Sequence, residues 1–346
     1  MSFVRYTNIV TNPNELAMKQ QTAPNFWYTT HMQTTDPNTV ASGLLDVGDG
    51  HQIYWEDWGS RTATPIIHLH GGPGAGFSDK HKVLYDPTRH RVIFHDQRGC
   101  GKSLPFAETA RNTTQDLIAD IERLRTSLGI EKAYVSGGSW GSSLSLLYAI
   151  AHPERVIRLM IWSVFLCRQS EDDYLNAGYA RCYFPEAWER FIANVPAEQR
   201  GTGDDIAEFY RGKLHDADPD VARRFAYEWC LWEGSLLSLS YDKATVEAEA
   251  SGDESNLAIA RLETHYFHNG CFVEEGYILN NLDRIRHIPL AILHGRFDMC
   301  TPAISAWDLY QAYGPNATLQ WVSSGHLRTE PAMLTALKAT ANAVLV

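Results

Sequence analysis

The feature of this sequence that most limits its fold is an alternation of short β-rich runs with helical patterns, beginning near residue 50. The helical pattern between the capping pair Thr113 and Asp116 and the stop at Gly129 is the clearest example. Strand, helix and strand in this order predict a mostly parallel sheet flanked by helices on both faces, an α/β fold. The predicted strands are Ile66–His70, Val92–His95, Ala133–Ser136, Ile157–Trp162, Leu290–His294 and Thr318–Val322.

The alternation stops between about residues 165 and 285, where aromatic residues and helical patterns are dense. The simplest interpretation is a helical cap subdomain, 165–285, inserted into a catalytic domain made of 42–164 and 286–346. An insertion after a sheet strand lies over the carboxyl ends of the strands, where open α/β sheets bind ligands. We therefore expect the functional site between sheet and cap.

Residues 1–41 are rich in Asn, Gln, Thr and Pro and have no apolar period. We expect an irregular N-terminal extension, which Phe26, Trp27 and Tyr28 could anchor to the body. The sequence predicts no role for it, and it lacks the continuous apolar segment of a secretory signal.

Composition excludes several classes of protein. The chain has 41 acidic and 30 basic residues, a formal charge of −11, which disfavours binding to nucleic acid. Its most apolar segment, Val156–Cys167, is interrupted by Arg158 and is shorter than the roughly 20 residues of a membrane span. The six cysteines form no C-x-x-C pair, which favours reduced thiols over disulfides or a zinc site. We expect a cytoplasmic protein with no membrane or nucleic-acid partner; its oligomeric state is not predicted.

The most specific motif is Gly137-Gly138-Ser139-Trp140-Gly141, which fits G-x-S-x-G between a predicted strand and a helical pattern. A sharp strand-to-helix turn exposes the serine Oγ, and the glycines relieve crowding around it. The pattern would occur by chance only about 0.1 times in a chain of this length. Ser139 is therefore the candidate nucleophile. The alternative, a glycine-rich turn without a catalytic role, fits the flanking strand and helix less well.

A nucleophilic serine needs a base and a carboxylate that orients it, in the chain order Ser, Asp or Glu, His for this type of turn. Asp298 and His326 fit, because each follows a predicted strand. Asp96 is a rival acid, but it precedes the serine. We interpret it as the anchor of a turn, together with Arg98.

The developing oxyanion needs two main-chain N–H donors. Trp140 supplies one, directly after the serine, and the loop His70-Gly71-Gly72-Pro73-Gly74 supplies the other, at Gly72. A phosphate-binding role for this loop is disfavoured because no G-K-[ST] follows it. No residues show metal-ligand spacing, so we expect neither a metal nor a cofactor.

Taken together, several segments resemble the proline iminopeptidases, serine peptidases of the α/β-hydrolase fold. The likeness runs from about residue 42 to the C-terminus, about nine-tenths of the chain. The segments are HGGPGAG, FHDQRGCGKS, NTTQDLIADIERLR, GGSWGSSLSLLYAIAHPERV, WEGSLLSL, ARLETHYF, RHIPLAILHGRFD and SSGH. HGGPG and G-x-S-x-G are widespread among hydrolases, whereas DQRGCGKS with GGSWG, and the WEG and RLETHYF segments, are more specific.

The resemblance implies cleavage of an N-terminal residue, preferentially proline, from small peptides with a free N-terminus, by way of an acyl-enzyme. It also implies that Glu233 and Glu263 hold the substrate's α-ammonium group and that Phe165 lines the proline pocket. The segment after the base, His326-Leu327-Arg328, departs from the family pattern, which often has a small polar residue there.

Two other functions stay open at this point. One is an esterase or amidase of the same fold that acts on small neutral molecules, for which the cap glutamates would have no cation to bind. The other is a catalytically inactive binding protein with a hydrolase fold, which the complete set of Ser139, Asp298 and His326 disfavours.

Overall fold

A computed structural model of the chain describes residues 29–31, 36–252 and 254–346. In these ranges the chain forms nine strands, which belong to one sheet, and twelve α-helices. The strands are β1 (Thr29–His31), β2 (Thr39–Gly48), β3 (His51–Gly59), β4 (Pro65–Leu69), β5 (Arg91–His95), β6 (Ala133–Ser139), β7 (Val156–Val164), β8 (Leu290–Gly295) and β9 (Ala317–Val322). The helices are α1 (Asp79–Lys82), α2 (Thr114–Ser127), α3 (Trp140–Ala151), α4 (Gln169–Asn176), α5 (Pro185–Ala193), α6 (Gly203–Leu214), α7 (Pro219–Leu237), α8 (Lys243–Ala250), α9 (Ser255–His268), α10 (Tyr277–Asn280), α11 (Ala303–Tyr313) and α12 (Pro331–Val344).

The strands follow the order β1-β2-β3-β5-β4-β6-β7-β8-β9 across the sheet. Strands β4 to β9 run parallel to their neighbours within that group, and they are the six strands that the sequence predicts. Strands β1, β2, β3 and β5 pair in antiparallel fashion. The predicted fold class, a mostly parallel sheet flanked by helices, is therefore confirmed.

The prediction that residues 1–41 are irregular is wrong at residues 29–31 and 39–41, which form strand β1 and the beginning of β2. Strand β1 pairs with residues 43–45 of β2, and Thr39 pairs with Trp58 of β3. An outer strand needs only main-chain hydrogen bonds to one neighbour, so its sequence shows little apolar alternation. The predicted anchors Phe26, Trp27 and Tyr28 lie outside the described residues.

The prediction also lacks β3, which is buried along most of its length although it contains the charged residues Glu56 and Asp57. Each charge has a partner: Lys82 Nζ lies 2.8 Å from Glu56, and Arg91 lies 2.8 Å from Asp57. Buried charges persist when they are paired, and the partners come from elements distant in sequence.

Helices cover both faces of the sheet and produce two apolar cores. On one face α2, α3 and α11 pack against the sheet, with Leu117 and Leu144 buried. On the other face Met333 and Leu337 of α12 pack with Phe94. No helix in the described part of the chain has the length and apolar character to cross a membrane.

In the segment between β7 and β8 the structure describes helices joined by loops and turns, and no strand; residue 253 lies outside the described residues. Its helices have a separate apolar cluster built around Phe191, Tyr210, Trp229 and Trp232. The last part of the segment, after α9, packs on the core of the sheet instead. We propose that residues 165–285 are the cap subdomain.

The turn from β6 into α3 carries Ser139 in a left-handed backbone conformation, with φ 58° and ψ −130°. A Cβ at Gly141 would overlap the carbonyl oxygen of Leu69 in β4, and a Cβ at Gly137 would overlap the carbonyl oxygen of Gly141. The glycines therefore let the turn approach β4 closely, as the motif predicts.

We predict that Gly141→Ala destabilises the protein by about 1–3 kcal/mol or more, because the added methyl group meets main chain that cannot move aside. Chemical denaturation would measure the change in the free energy of unfolding. Gly212→Ala in α6 is the matched control, since a Cβ there would meet nothing within 4 Å. Alanine also favours a helix more than glycine does, so equal destabilisation by both changes would contradict the packing argument.

Candidate active site

Ser139 lies at the carboxyl end of β6, on the edge of the sheet that faces the cap. It lines a cavity of about 260 Å³ together with Gly72, Glu233, Glu263 and His326. The five residues come from three loops of the sheet domain and two cap helices, and all are candidates from the sequence. The fold therefore brings together most of the predicted site.

The candidate base and acid lie side by side. Nδ1 of His326 is 3.0 Å from Oδ2 and 3.1 Å from Oδ1 of Asp298. The main chain fixes the position of the ring: His326 N–H donates to the carbonyl of Leu237 at 2.9 Å, and its carbonyl accepts from Ser163 Oγ at 3.0 Å. Because Leu237 belongs to α7, the cap itself helps to hold the base.

Asp298 is buried, and its carboxylate accepts hydrogen bonds from the main-chain N–H groups of Cys300 and Thr301 at 3.0 and 2.8 Å, and from Thr301 Oγ1 at 2.9 Å. Burial would raise the pKa of Asp298, but the adjacent His326 and these donors lower it. The acid is thus ionised and fixed in orientation, as a partner for a histidine must be.

Burial also acts on His326, where it lowers the pKa, while the charge and hydrogen bond of Asp298 raise it. The net pKa lies above that of an ordinary histidine, with a further contribution from Glu233. His326 is therefore well suited to accept a proton from a serine.

The two candidate oxyanion donors flank the nucleophile. Gly72 shares the cavity with Ser139, and the helix α3 begins at Trp140. Gln97, which the sequence analysis did not single out, connects the two. Its side-chain NH₂ donates to the carbonyl of His70 at 3.0 Å, and its Oε1 accepts from the indole N–H of Trp140 at 2.9 Å. Gln97 lies in the DQRG segment, so the motif was visible but not its function.

The two cap glutamates line the same cavity as Ser139, and each carboxylate affects the pKa of the other. Glu263 is 1% exposed and accepts a hydrogen bond from the indole N–H of Trp229 at 2.6 Å. Burial, together with the charge of Glu233, raises the pKa of Glu263 well above its usual range. Burial likewise raises the pKa of Glu233, although His326 acts in the opposite direction. A pair of carboxylates that interact in a poorly solvated site favours a bound cation or a proton that the two carboxylates share.

Phe165 lines a second, smaller cavity that also reaches Ser139. Its ring meets that of Phe267 edge to face, with centroids 6.1 Å apart. The sequence analysis did not identify Phe267, although it ends the RLETHYF segment, or Leu175, which lines the same cavity. The lining combines these apolar side chains with the carboxylates of Glu171, Asp172 and Glu233, and its apolar part suits a compact hydrophobic side chain.

The rival acid Asp96 has a structural role. Its carboxylate accepts hydrogen bonds from the main-chain N–H groups of Phe77 and Lys102, both at 2.8 Å, and so anchors two loops. The prediction that Arg98 is its partner is wrong: Arg98 pairs with Asp120 at 2.6 Å. The sequence could not show this pairing, because Asp120 lies in a different element, α2, and only the fold brings it to Arg98.

Among the described residues, one group combines metal-ligating side chains within 4.8 Å of one another. The group is His70, Asp96 and Cys100. His70 Nε2 already accepts the main-chain N–H of Gln97 at 3.0 Å, and the oxygens of Asp96 are occupied as described above. These hydrogen bonds hold together the loop that begins at His70, which carries the candidate oxyanion donor Gly72, and the segment that contains Asp96 and Gln97.

The sheet order, the turn at Ser139 and the site at the carboxyl ends of the strands define an α/β-hydrolase. A family model described as alpha/beta hydrolase fold matches residues 64–328. An esterase from Exiguobacterium antarcticum has a similar structure, with a TM-score of 0.60 and 18% identity over 87% of this chain and 98% of that one.

Sequence relatives narrow the class further. The chain is 46% identical to a proline iminopeptidase of Neisseria gonorrhoeae over 86% of its length and 93% of the relative's. It is 41% identical to a proline iminopeptidase of Arabidopsis thaliana, over 84% of this chain and 76% of that protein. The chain belongs to the proline iminopeptidase family.

We predict that Gln97→Met slows labelling of Ser139 by a fluorophosphonate about tenfold or more, because neither half of the oxyanion site is then held in place. Removing a direct oxyanion donor costs about 100- to 1,000-fold, which sets the upper limit. Mass spectrometry would follow the labelling, and thermal unfolding would establish that the fold is kept. Gln115→Met, at an exposed residue of α2, is the matched control. Equal labelling rates in the two variants would show that Gln97 has no positioning role.

Proposed function

We propose that the protein is a serine aminopeptidase that releases an N-terminal residue, preferentially proline, from small peptides. The observation that carries the proposal is a pair of carboxylates, the half-buried Glu233 and the buried Glu263, which line the same cavity as the candidate nucleophile Ser139. Membership of the proline iminopeptidase family supports the same conclusion.

The proposed reaction begins when Ser139 Oγ attacks the first carbonyl of the peptide and His326 accepts its proton. Asp298 keeps the imidazole in the orientation and tautomer that this step requires. The main-chain N–H groups of Gly72 and Trp140 stabilise the oxyanion. His326 then donates the proton to the departing amine, and water hydrolyses the acyl-enzyme by the same route in reverse.

The cap glutamates explain why the enzyme would act only at a free N-terminus. A substrate α-ammonium would replace the proton that the pair shares, and so would neutralise charge that is otherwise costly to bury. An internal peptide bond offers no such cation. Phe165 and Phe267 would pack against the pyrrolidine ring of proline, which is compact and apolar.

The alternative of an esterase or amidase for neutral substrates receives less support from this site. A neutral acyl group would leave the two carboxylates without a partner. An inactive binding protein is disfavoured by the hydrogen bonds between His326 and Asp298 and by the strained turn at Ser139, since strain of this kind persists at functional sites.

We predict an acid limb in the pH profile for the labelling of Ser139 by a neutral fluorophosphonate. Protonated His326 cannot accept a proton, and its pKa is raised, so the rate falls as the pH drops through a value above the ~6.5 of an ordinary histidine. A neutral probe avoids any contribution from binding of an ammonium group. Asp298→Asn should move the limb to lower pH, because the carboxylate that raises the pKa is gone. A flat rate from about pH 5 to 8 would overturn the role of His326.

We predict that Glu233→Gln and Glu263→Gln each lower kcat/KM for a prolyl anilide by about 30-fold or more. Each change removes one charge from the ammonium site and keeps the shape, and loss of one partner of a buried charge pair costs about 2–5 kcal/mol. N-acetylation of the substrate should nearly abolish cleavage by the wild type for the same reason. Steady-state kinetics on free and acetylated prolyl anilides would measure both effects.

The matched control is Glu228→Gln in the same helix, α7. Glu228 is also buried, but it pairs with Arg190 at 2.8 Å and not with the site. Ser139→Ala provides the inactive reference. Equal rates on free and acetylated substrates would exclude the aminopeptidase and favour the esterase.

A further inference from the structure

The larger cavity, which contains Ser139, is also lined by four residues that do not border the cavity of Phe165: His68, Ser78, His81 and Arg328. The rings of His68 and His81 have centroids 5.1 Å apart, and we refer to this group of residues as the Arg328 end of the cavity. The proposed function uses none of these residues. Arg328 follows the candidate base by two positions in the chain, so the loop that supplies His326 also supplies this guanidinium.

Arg328 makes no ion pair with any residue that the structure describes. Its Nε is buried and has no hydrogen-bond partner among the described residues. Burial lowers this pKa to about 10, so the guanidinium stays charged at neutral pH. A half-buried arginine without a carboxylate is costly, and it indicates that an anion completes the site.

The imidazoles at this end add donors but little charge. His68 is 1% exposed, and its Nε2 has no hydrogen-bond partner among the described residues. Burial lowers the pKa of both His68 and His81. The positive charge at this end of the cavity is therefore that of Arg328, and the unpartnered His68 nitrogen is a second group that would accept or donate a hydrogen bond there.

The two cavities meet at Ser139, so they would hold the parts of a peptide substrate that lie on either side of the scissile bond. Both are lined by Gly72, Ser139 and Glu233, but only the smaller one contains Phe165 and only the larger one reaches Arg328. If the N-terminal side chain occupies the smaller cavity, the leaving part of the peptide must extend into the larger one. In a short peptide that part ends in a carboxylate, about 3.3–3.6 Å further along for each added residue.

We propose that Arg328 binds the C-terminal carboxylate of short peptides and so makes the enzyme selective for substrates that carry this charge near the scissile bond. The inference rests on the proposed aminopeptidase function and adds the recognition of the leaving group. The substrate would then be held at both ends, with its ammonium on Glu233 and Glu263 and its carboxylate on Arg328.

The test compares kcat/KM for Pro-Ala and Pro-Ala-Ala with that for their C-terminal amides, in the wild type and in Arg328→Gln. We expect the wild type to prefer at least one of the two acids over its amide by about 10- to 100-fold, the range for a hydrogen bond to a charged group. In Arg328→Gln the acid-to-amide ratio should fall to about one. Arg328→Lys keeps the charge but loses the planar fork, so we expect an intermediate ratio.

Arg155→Gln is the matched control. Arg155 Nε also has no hydrogen-bond partner among the described residues, although it lies 3.4 Å from Glu154 Oε1. Arg155 lies at the opposite end of the sheet, just before β7, so its variant should keep the wild-type ratio. The proposal is overturned if the wild type cleaves acids and amides equally, or if Arg328→Gln keeps the wild-type ratio. Failure to cleave a prolyl anilide would instead refute the aminopeptidase function itself. If Arg328→Gln does not fold, the wild-type ratio and Arg328→Lys still decide the question.

Discussion

The arrangement of the site depends on one close approach, that of the turn after β6 to the end of β4. Only glycine at residues 137 and 141 permits it, because a Cβ at either position would overlap main chain. The approach places Ser139 beside the His70–Gly74 loop, and Gln97 then connects that loop to Trp140. The candidate nucleophile and the candidate oxyanion donors are thus positioned by the same packing that joins two strands of the sheet.

The second constraint is the burial of charge between sheet and cap. Glu233 and Glu263 lie in a poorly solvated space, where their mutual repulsion favours a shared proton or a cation. The cap also supplies the carbonyl of Leu237 that fixes the main chain of His326. In the proposed function the cap helices would contribute both to substrate recognition and to the position of the candidate base, so a change in cap packing would affect both.

The larger cavity is lined by charges of both signs. The carboxylates of Glu233 and Glu263 and the guanidinium of Arg328 border the same cavity as Ser139. A peptide of few residues has the complementary pattern, an ammonium at one end and a carboxylate at the other. This distribution relates the acidic cap residues and Arg328 to one substrate, and it would orient the peptide as well as bind it.

The sequence by itself determined the parallel part of the sheet and the helical character of the segment between β7 and β8, and it singled out Ser139, Asp298 and His326 as candidate catalytic residues. Local periodicity and position after a strand are properties of neighbouring residues, so they are visible in the sequence. It did not predict β3, whose buried charges are neutralised by Lys82 and Arg91 from elsewhere in the chain. Nor did it predict the roles that we propose for Gln97, Phe267 and Arg328. Each of these depends on what lies opposite the side chain in space, and only the tertiary structure, which brings distant segments into contact, decides that.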